Sequence, residues 1–203
     1  MYVLLLLAAP LLELEVGVGR ASPASSSEPY PPDGYPAALQ LRAGAALRPR
    51  SHLSVGLEVS AVLGGEGLDH PTCCGYVEAG FETRNALATM RLHSLAGRSS
   101  EGLDVFAQVG AGLGQVVSMQ TSEDIEHAWL RGQVGPAIAL MLGGGCLIKP
   151  WLDAGLQVSW QIWTRVGQEA YDPGTSAAFS PARTGIVVTA VAVAAVIGFA
   201  SPL

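Results

Sequence analysis

The stretch AALQLRAGAALRPRSHLSVGLEVSAVLGG, Ala37–Gly65, carries the reading of the fold. On both sides of a short basic break it alternates apolar and polar residues. The polar positions hold Gln40, Arg42, Ser54, Glu58 and Ser60, and the apolar positions hold Leu, Val and Ala. A period of two marks strands with two chemically different faces. Which face looks inward decides between a soluble β-protein and one that lives in a membrane.

The composition favours the membrane. Only 14% of the 203 residues are charged, well below the roughly 25% of an ordinary soluble domain. Lysine occurs once, at Lys149, so nothing is scattered over exposed strand faces and edges in the usual way. A net charge of −6 excludes the clustered basic footprint of a nucleic-acid binder. No segment makes a transmembrane helix. MYVLLLLAAPLL is broken by Pro10, and IVVTAVAVAAVIGF falls short of the ~20 residues that a helix needs to cross a bilayer. Residues 1–10 read as the remainder of a secretion signal, with the true start upstream.

The alternation recurs along residues 11–203, which read as one domain. LLELEVGVGR sets Leu12, Leu14, Val16 and Val18 against Glu13, Glu15, Gly17 and Gly19. LDVFAQVGAGLGQVV, WLRGQVGPAIALML and WLDAGLQVSWQIW repeat the pattern. The expected strands are 11–20, 37–47, 53–64, 76–92, 103–118, 127–142, 147–165 and 185–199. Their connections alternate between long or acidic (22–36, GEGLDHPTCCG, QTSEDIE, 167–184) and short (RPRSH, LAGRSSEG, GGGC). That is a meander with two unlike ends, as in transmembrane barrels.

An apolar-in barrel would leave glycine scattered over its wet face, where it only weakens strands. With the apolar face outward, the same glycines make room in a narrow lumen. Eight strands leave an interior just wide enough for side chains. Closure removes the sheet edges that lipid cannot satisfy. Buried charge must then be paired. The expected interior network is Glu13, Glu15, Glu58, Glu78, Asp104 and Asp153 against Arg42, Arg84 and Arg131. Tyr76, Trp129, Trp160 and Trp163 fall near expected outer strand ends, and Trp151 and Phe199 near inner ends, where amphipathic rings suit an interface. Pro136 interrupts the sixth strand. A bulge near Asn85 would reconcile Val77, Ala79 and Phe81 with the opposite parity of Ala86, Ala88, Met90 and Leu92.

With eight alternating strands, a Gly-rich inward face, short inner turns and Phe199 near its end, the chain resembles the small OmpA/OmpX-like outer-membrane β-barrels over residues 11–199. The resemblance is architectural and rests on no diagnostic motif. It implies an all-β, eight-stranded antiparallel up-and-down transmembrane barrel in the outer membrane of a Gram-negative bacterium. Its implied partners are outer-membrane lipid, lipopolysaccharide and the barrel-assembly machinery. Phe199 is followed by ASPL, a departure from the aromatic ending common in that family.

Little in the sequence points to catalysis or a cofactor. Cys73 and Cys74 in DHPTCCG read as a loop disulfide or idle thiols. His70 nearby leaves too few ligands for a metal. Cys146 is expected at an inner turn, out of their reach. Some small outer-membrane barrels modify lipids, and Ser118, Glu126 and His127 are the residues considered for such chemistry. GAGLG is followed by no helix pattern, so it is not a phosphate loop. The expected role is non-enzymatic: stabilising the membrane or meeting partners through loops 22–36 and 167–184. The alternatives are a narrow porin, a lipid-modifying enzyme and a soluble lipocalin-like carrier.

Overall fold

A computed structural model describes residues 10–26, 38–50, 52–64, 71–72, 75–76, 80–94, 103–123, 126–132, 134–149, 151–171 and 181–202. Eight antiparallel staves close into a barrel: β1 (Leu11–Ser26), β2 (Ala38–Arg50), β3 (Leu53–Leu63), β4 (Gly80–His93), β5 (Leu103–Glu123), β6 in two pieces (Glu126–Gly132 and Gly135–Lys149), β7 (Leu152–Tyr171) and β8 (Pro181–Pro202). Each stave pairs with its sequence neighbours, and β8 returns to β1, from Leu11↔Pro202 up to Ser26↔Val188. A two-residue ladder, Pro71–Thr72 with Gly75–Tyr76, lies between β3 and β4.

The register sets the shape. Cross-strand partners run from Glu13 through Ala46, Gly56, Thr89, Gly110, Ala139, Gln161 and Ala190 back to β1 at Pro23. One circuit therefore climbs ten residues. With strands ~4.8 Å apart and ~3.3 Å of rise per residue, that stagger tilts the staves by about 40°. The lumen is correspondingly narrow.

The apolar face is outside. Leu41 and Val55 are each 42% exposed and Leu156 65%, whereas Arg42 is 7% and Glu58 4% exposed. Along β3 the outward residues are Leu53, Val55, Leu57, Val59, Ala61 and Leu63. At a 40° tilt these eleven residues stand about 25 Å tall, the height of the apolar band of a membrane barrel. The other staves continue this coat, among them Leu14, Leu92, Leu113, Leu142 and Ile197. At the end that holds Leu11 and Pro202, Trp151 and Phe199 are exposed and stack with centroids 6.5 Å apart.

Four sequence expectations shift in the fold. GGGC is strand: β6 continues to Lys149 and reverses before Leu152. Inward Gly143 has no room for a side chain, because a Cβ there would collide with the Phe106 ring. Cys146 is accordingly an outward, exposed strand residue. QTSEDIE is largely strand, with β5 running to Glu123, which pairs with Glu126 of the next stave. The bulge expected in the fourth strand near Asn85 lies instead in β5, where Val117 is the extra residue opposite the consecutive Glu82 and Thr83 of β4. Trp163 is buried inside the barrel, 1% exposed, and takes no part in an outer belt. Strand six does divide close to Pro136, between Gly132 and Gly135.

Candidate functional site

The inward positions of the staves build a layered filling. Glu15 of β1, Arg42 of β2, Glu58 of β3, Arg91 of β4 and Gln108 of β5 form its middle layer. The Nη2 of Arg42 lies 2.8 Å from Glu15 Oε1 and 2.7 Å from Glu58 Oε2. Arg91 grips Glu15 with both terminal nitrogens, at 2.8 and 3.2 Å. Its Nε donates to Gln108 Oε1 at 2.7 Å, and Gln108 Nε2 donates to Glu58 Oε2 at 2.9 Å. The five side chains thus close a ring. Paired geometry of this kind offsets the desolvation of buried charge, and the bidentate fork suits arginine. The Arg91 guanidinium also lies 4.1 Å from the centroid of the Phe106 ring. Gly17 is needed here, since a Cβ would stand 2.7 Å from Arg42 Cγ.

Above this ring the lumen holds neutral and apolar groups. The indole Nε1 of Trp163 donates to Asn85 Oδ1 at 2.6 Å, and Asn85 Nδ2 donates to Gln161 at 3.0 Å and Ser60 at 3.3 Å. Val62, Val116, Val188 and Ala137 pack in the same buried cluster as Trp163. Gly114 leaves the space for that indole. Below the ring, at the turn end, a cavity of about 70 Å³ is lined by Glu13, Arg48, Ser54, His93, Asp104 and Asp153, among others. There Arg48 bridges Glu13 at 3.3 Å and approaches Asp104 at 4.0 Å. His93 Nδ1 lies 2.7 Å from Asp104 Oδ2 and its Nε2 lies 2.9 Å from Ser54 Oγ.

Of the expected network, Glu13, Glu15, Arg42, Glu58, Asp104 and Asp153 all line this cavity. Arg84 does not join them. It points outward, its side chain 66% exposed, and pairs with Glu82 at 3.3 Å. The reason is that β4 carries no extra residue of its own over Thr83 to His93, so its odd residues face inward and its even ones, Arg84 among them, outward. Glu78, Cys73 and Cys74 lie outside the described residues, as does the side chain of Arg131. The backbone register sets Ser118 opposite Glu82 and His127 opposite Ser122. Those two candidates are therefore four residues out of step on adjoining strands, roughly 13 Å apart along the ladder. Of the expected loops 22–36 and 167–184, residues 22–26, 167–171 and 181–184 are strand, in β1, β7 and β8, and the rest lies outside the described residues.

Arg48, Arg91 and His93 are the functional-type residues that sequence reasoning passed over. Arg91 was visible as the polar position between outward Met90 and Leu92. Arg48 was hidden in the basic turn RPRSH, and His93 at the edge of a strand end.

No protein-family model and no curated protein sequence matches the chain. Solved structures do. The outer membrane protein OprG of Pseudomonas aeruginosa superposes with a TM-score of 0.59 at 11% identity, covering 96% of this chain and 97% of that one. Neisserial surface protein A does so with a TM-score of 0.53 at 11% identity, over 94% and 96%. Ail, the attachment invasion locus protein of Yersinia pestis, solved with the heparin analogue sucrose octasulfate, gives 0.50 at 10% identity over 95% and 99%.

The fold is that of the small outer-membrane β-barrels.

At these identities the likeness concerns architecture. The filling of this barrel has to be read from its own residues.

Proposed function

We propose that this chain is an integral barrel of a Gram-negative outer membrane that works through its loop end and does not conduct solutes. The observation that carries the reading is the inversion itself: leucine and valine coat the outside, while a closed ring of charge sits within. In water such a coat would be an aggregation liability far larger than the patches that soluble monomers tolerate. In lipid it is the solvated surface. The end that holds Leu11 and Pro202 then faces the periplasm, and the opposite end, with Ser26, Ala38, Leu63 and Tyr171, faces outward. Outer-membrane lipid and lipopolysaccharide surround the coat, and the barrel-assembly machinery inserts it. A surface-binding role agrees with the likeness to Ail, whose structure holds a heparin analogue. The Arg42–Glu58–Gln108–Arg91–Glu15 ring and the Trp163 layer close the lumen, which argues against the porin alternative.

The test is refolding of the full chain into lipid vesicles. A folded barrel migrates differently on a denaturing gel before and after boiling, and planar-bilayer recording of the same preparation gives no stepwise conductance. Migration unchanged by boiling, with a monomer that stays soluble without detergent, would refute membrane residence. Steady single-channel openings would refute the plug.

A further inference from the structure

The turn-end cavity holds an arrangement that the loop-end role does not use. Ser54, His93 and Asp104 come from three adjacent staves, β3, β4 and β5, close to their turn-end limits. His93 Nδ1 lies 2.7 Å from Asp104 Oδ2, and Arg48 Nη1 approaches the same carboxylate oxygen at 4.0 Å. The other ring nitrogen, Nε2, lies 2.9 Å from Ser54 Oγ, and in the tautomer that directs its Nδ1 proton at Asp104 it accepts from the Ser54 hydroxyl. The ring is held in place. His52 Nδ1 contacts the His93 carbonyl oxygen at 3.1 Å, and the imidazole lies tilted against Phe106 with centroids 6.2 Å apart. Ser54 is 1% exposed to bulk solvent yet lines the cavity. Nucleophile, base and orienting carboxylate thus meet the geometric criteria for an activated serine.

We propose that Ser54 is a nucleophile toward short-chain carboxylic esters that enter from the turn end, with His93 as general base and Asp104 as the group that orients it. In the first step Ser54 Oγ bonds to the ester carbonyl carbon and His93 Nε2 takes the hydroxyl proton. The bond from that carbon to the alcohol oxygen then breaks, and His93 returns the proton to the leaving alkoxide. Glu13 Oε2, 3.9 Å from Nε2, faces the imidazolium formed in between. In the second step water, deprotonated by His93, attacks the acyl-serine. The Ser54–acyl bond breaks, the acid leaves and Ser54 is regenerated. The Arg48 and Arg91 guanidiniums line the same cavity and are the cations available to the developing oxyanion. A cavity of about 70 Å³ has room for an acetyl-sized group, which fits a short acyl ester.

The experiment uses the full chain refolded in detergent, with heat-modifiable migration as the check on folding. p-Nitrophenyl acetate should release a stoichiometric burst of nitrophenolate, with one acetyl group recovered on the Ser54 peptide. Ser54→Ala removes one oxygen and no charge, so it should fold normally and lose both signals. His93→Gln should also lose the burst. Asp104→Asn should slow acetylation by roughly 10³–10⁴-fold, as expected for an orienting carboxylate. A folded wild-type barrel that shows no burst overturns the proposal. So does acetylation that persists in Ser54→Ala, or an Asp104→Asn variant that folds and reacts at the wild-type rate. The gel shift separates these results from a failure of the barrel reading itself.

Discussion

Replacing Arg42 by methionine tests the sealed interior most directly. Arg42 is the only guanidinium shared by Glu15 and Glu58 among the described contacts, at 2.8 and 2.7 Å. Its side chain is 4% exposed, and that of Glu58 is also 4%. Glu15 keeps the two-pronged grip of Arg91 after the change, while Glu58 loses its direct ion pair and retains the Gln108 amide hydrogen bond. A buried carboxylate that loses its cation costs about 3–5 kcal/mol. That is about 10²–10³ or more in the unfolding equilibrium constant, since 1.4 kcal/mol is tenfold. The assay is urea unfolding of the barrel in lipid vesicles, followed by tryptophan fluorescence. Adding Glu58→Gln to Arg42→Met removes the orphaned charge, so the double variant should recover most of the loss. A single variant that loses less than about 1 kcal/mol would match an exposed ion pair and refute the dry, paired interior. Failure of Glu58→Gln to restore stability would show that the loss comes from packing and not from charge.

The same titration checks three further expectations. Arg84→Ala, on the outward and largely exposed Arg84–Glu82 pair, should stay within about 0.5 kcal/mol of wild type. Leu57→Arg places a charge halfway up the apolar band of β3 and should cost about 2–4 kcal/mol in lipid. Indifference to that change would place the coat in water. Trp163→Ala removes a fully buried indole and leaves Asn85 Oδ1 without its donor, for a loss of about 3–5 kcal/mol. A nitroxide attached at Cys146, with Cys73 and Cys74 replaced by serine, should be relaxed more by oxygen than by a water-soluble nickel chelate, because this residue points out of the barrel.

The amino-acid order alone determined that this chain makes two-faced strands and which face turns inward. Glu13 and Glu15 alternate with Leu14 and Val16, and Arg42 with Leu41 and Ala43. One such rhythm, with almost no lysine and glycines on the polar side, has a single economical solution in lipid. That information is local, because neighbours in sequence point to opposite faces whatever the strands pair with. The sequence could not say where the rhythm slips. The extra residue is Val117 in β5 and not one in β4, so β4 keeps a single phase and Arg84 points out. Nor could it tell a glycine turn from a glycine strand in GGGC, since the need for a bare backbone at Gly143 comes from the Phe106 ring on the next stave. The site follows the same division. Single inward charges were legible one strand at a time. The ring of five, and the meeting of Ser54, His93 and Asp104, exist only because a ten-residue stagger brings five staves to matching heights. That stagger is a property of closure, which no single segment of the chain encodes.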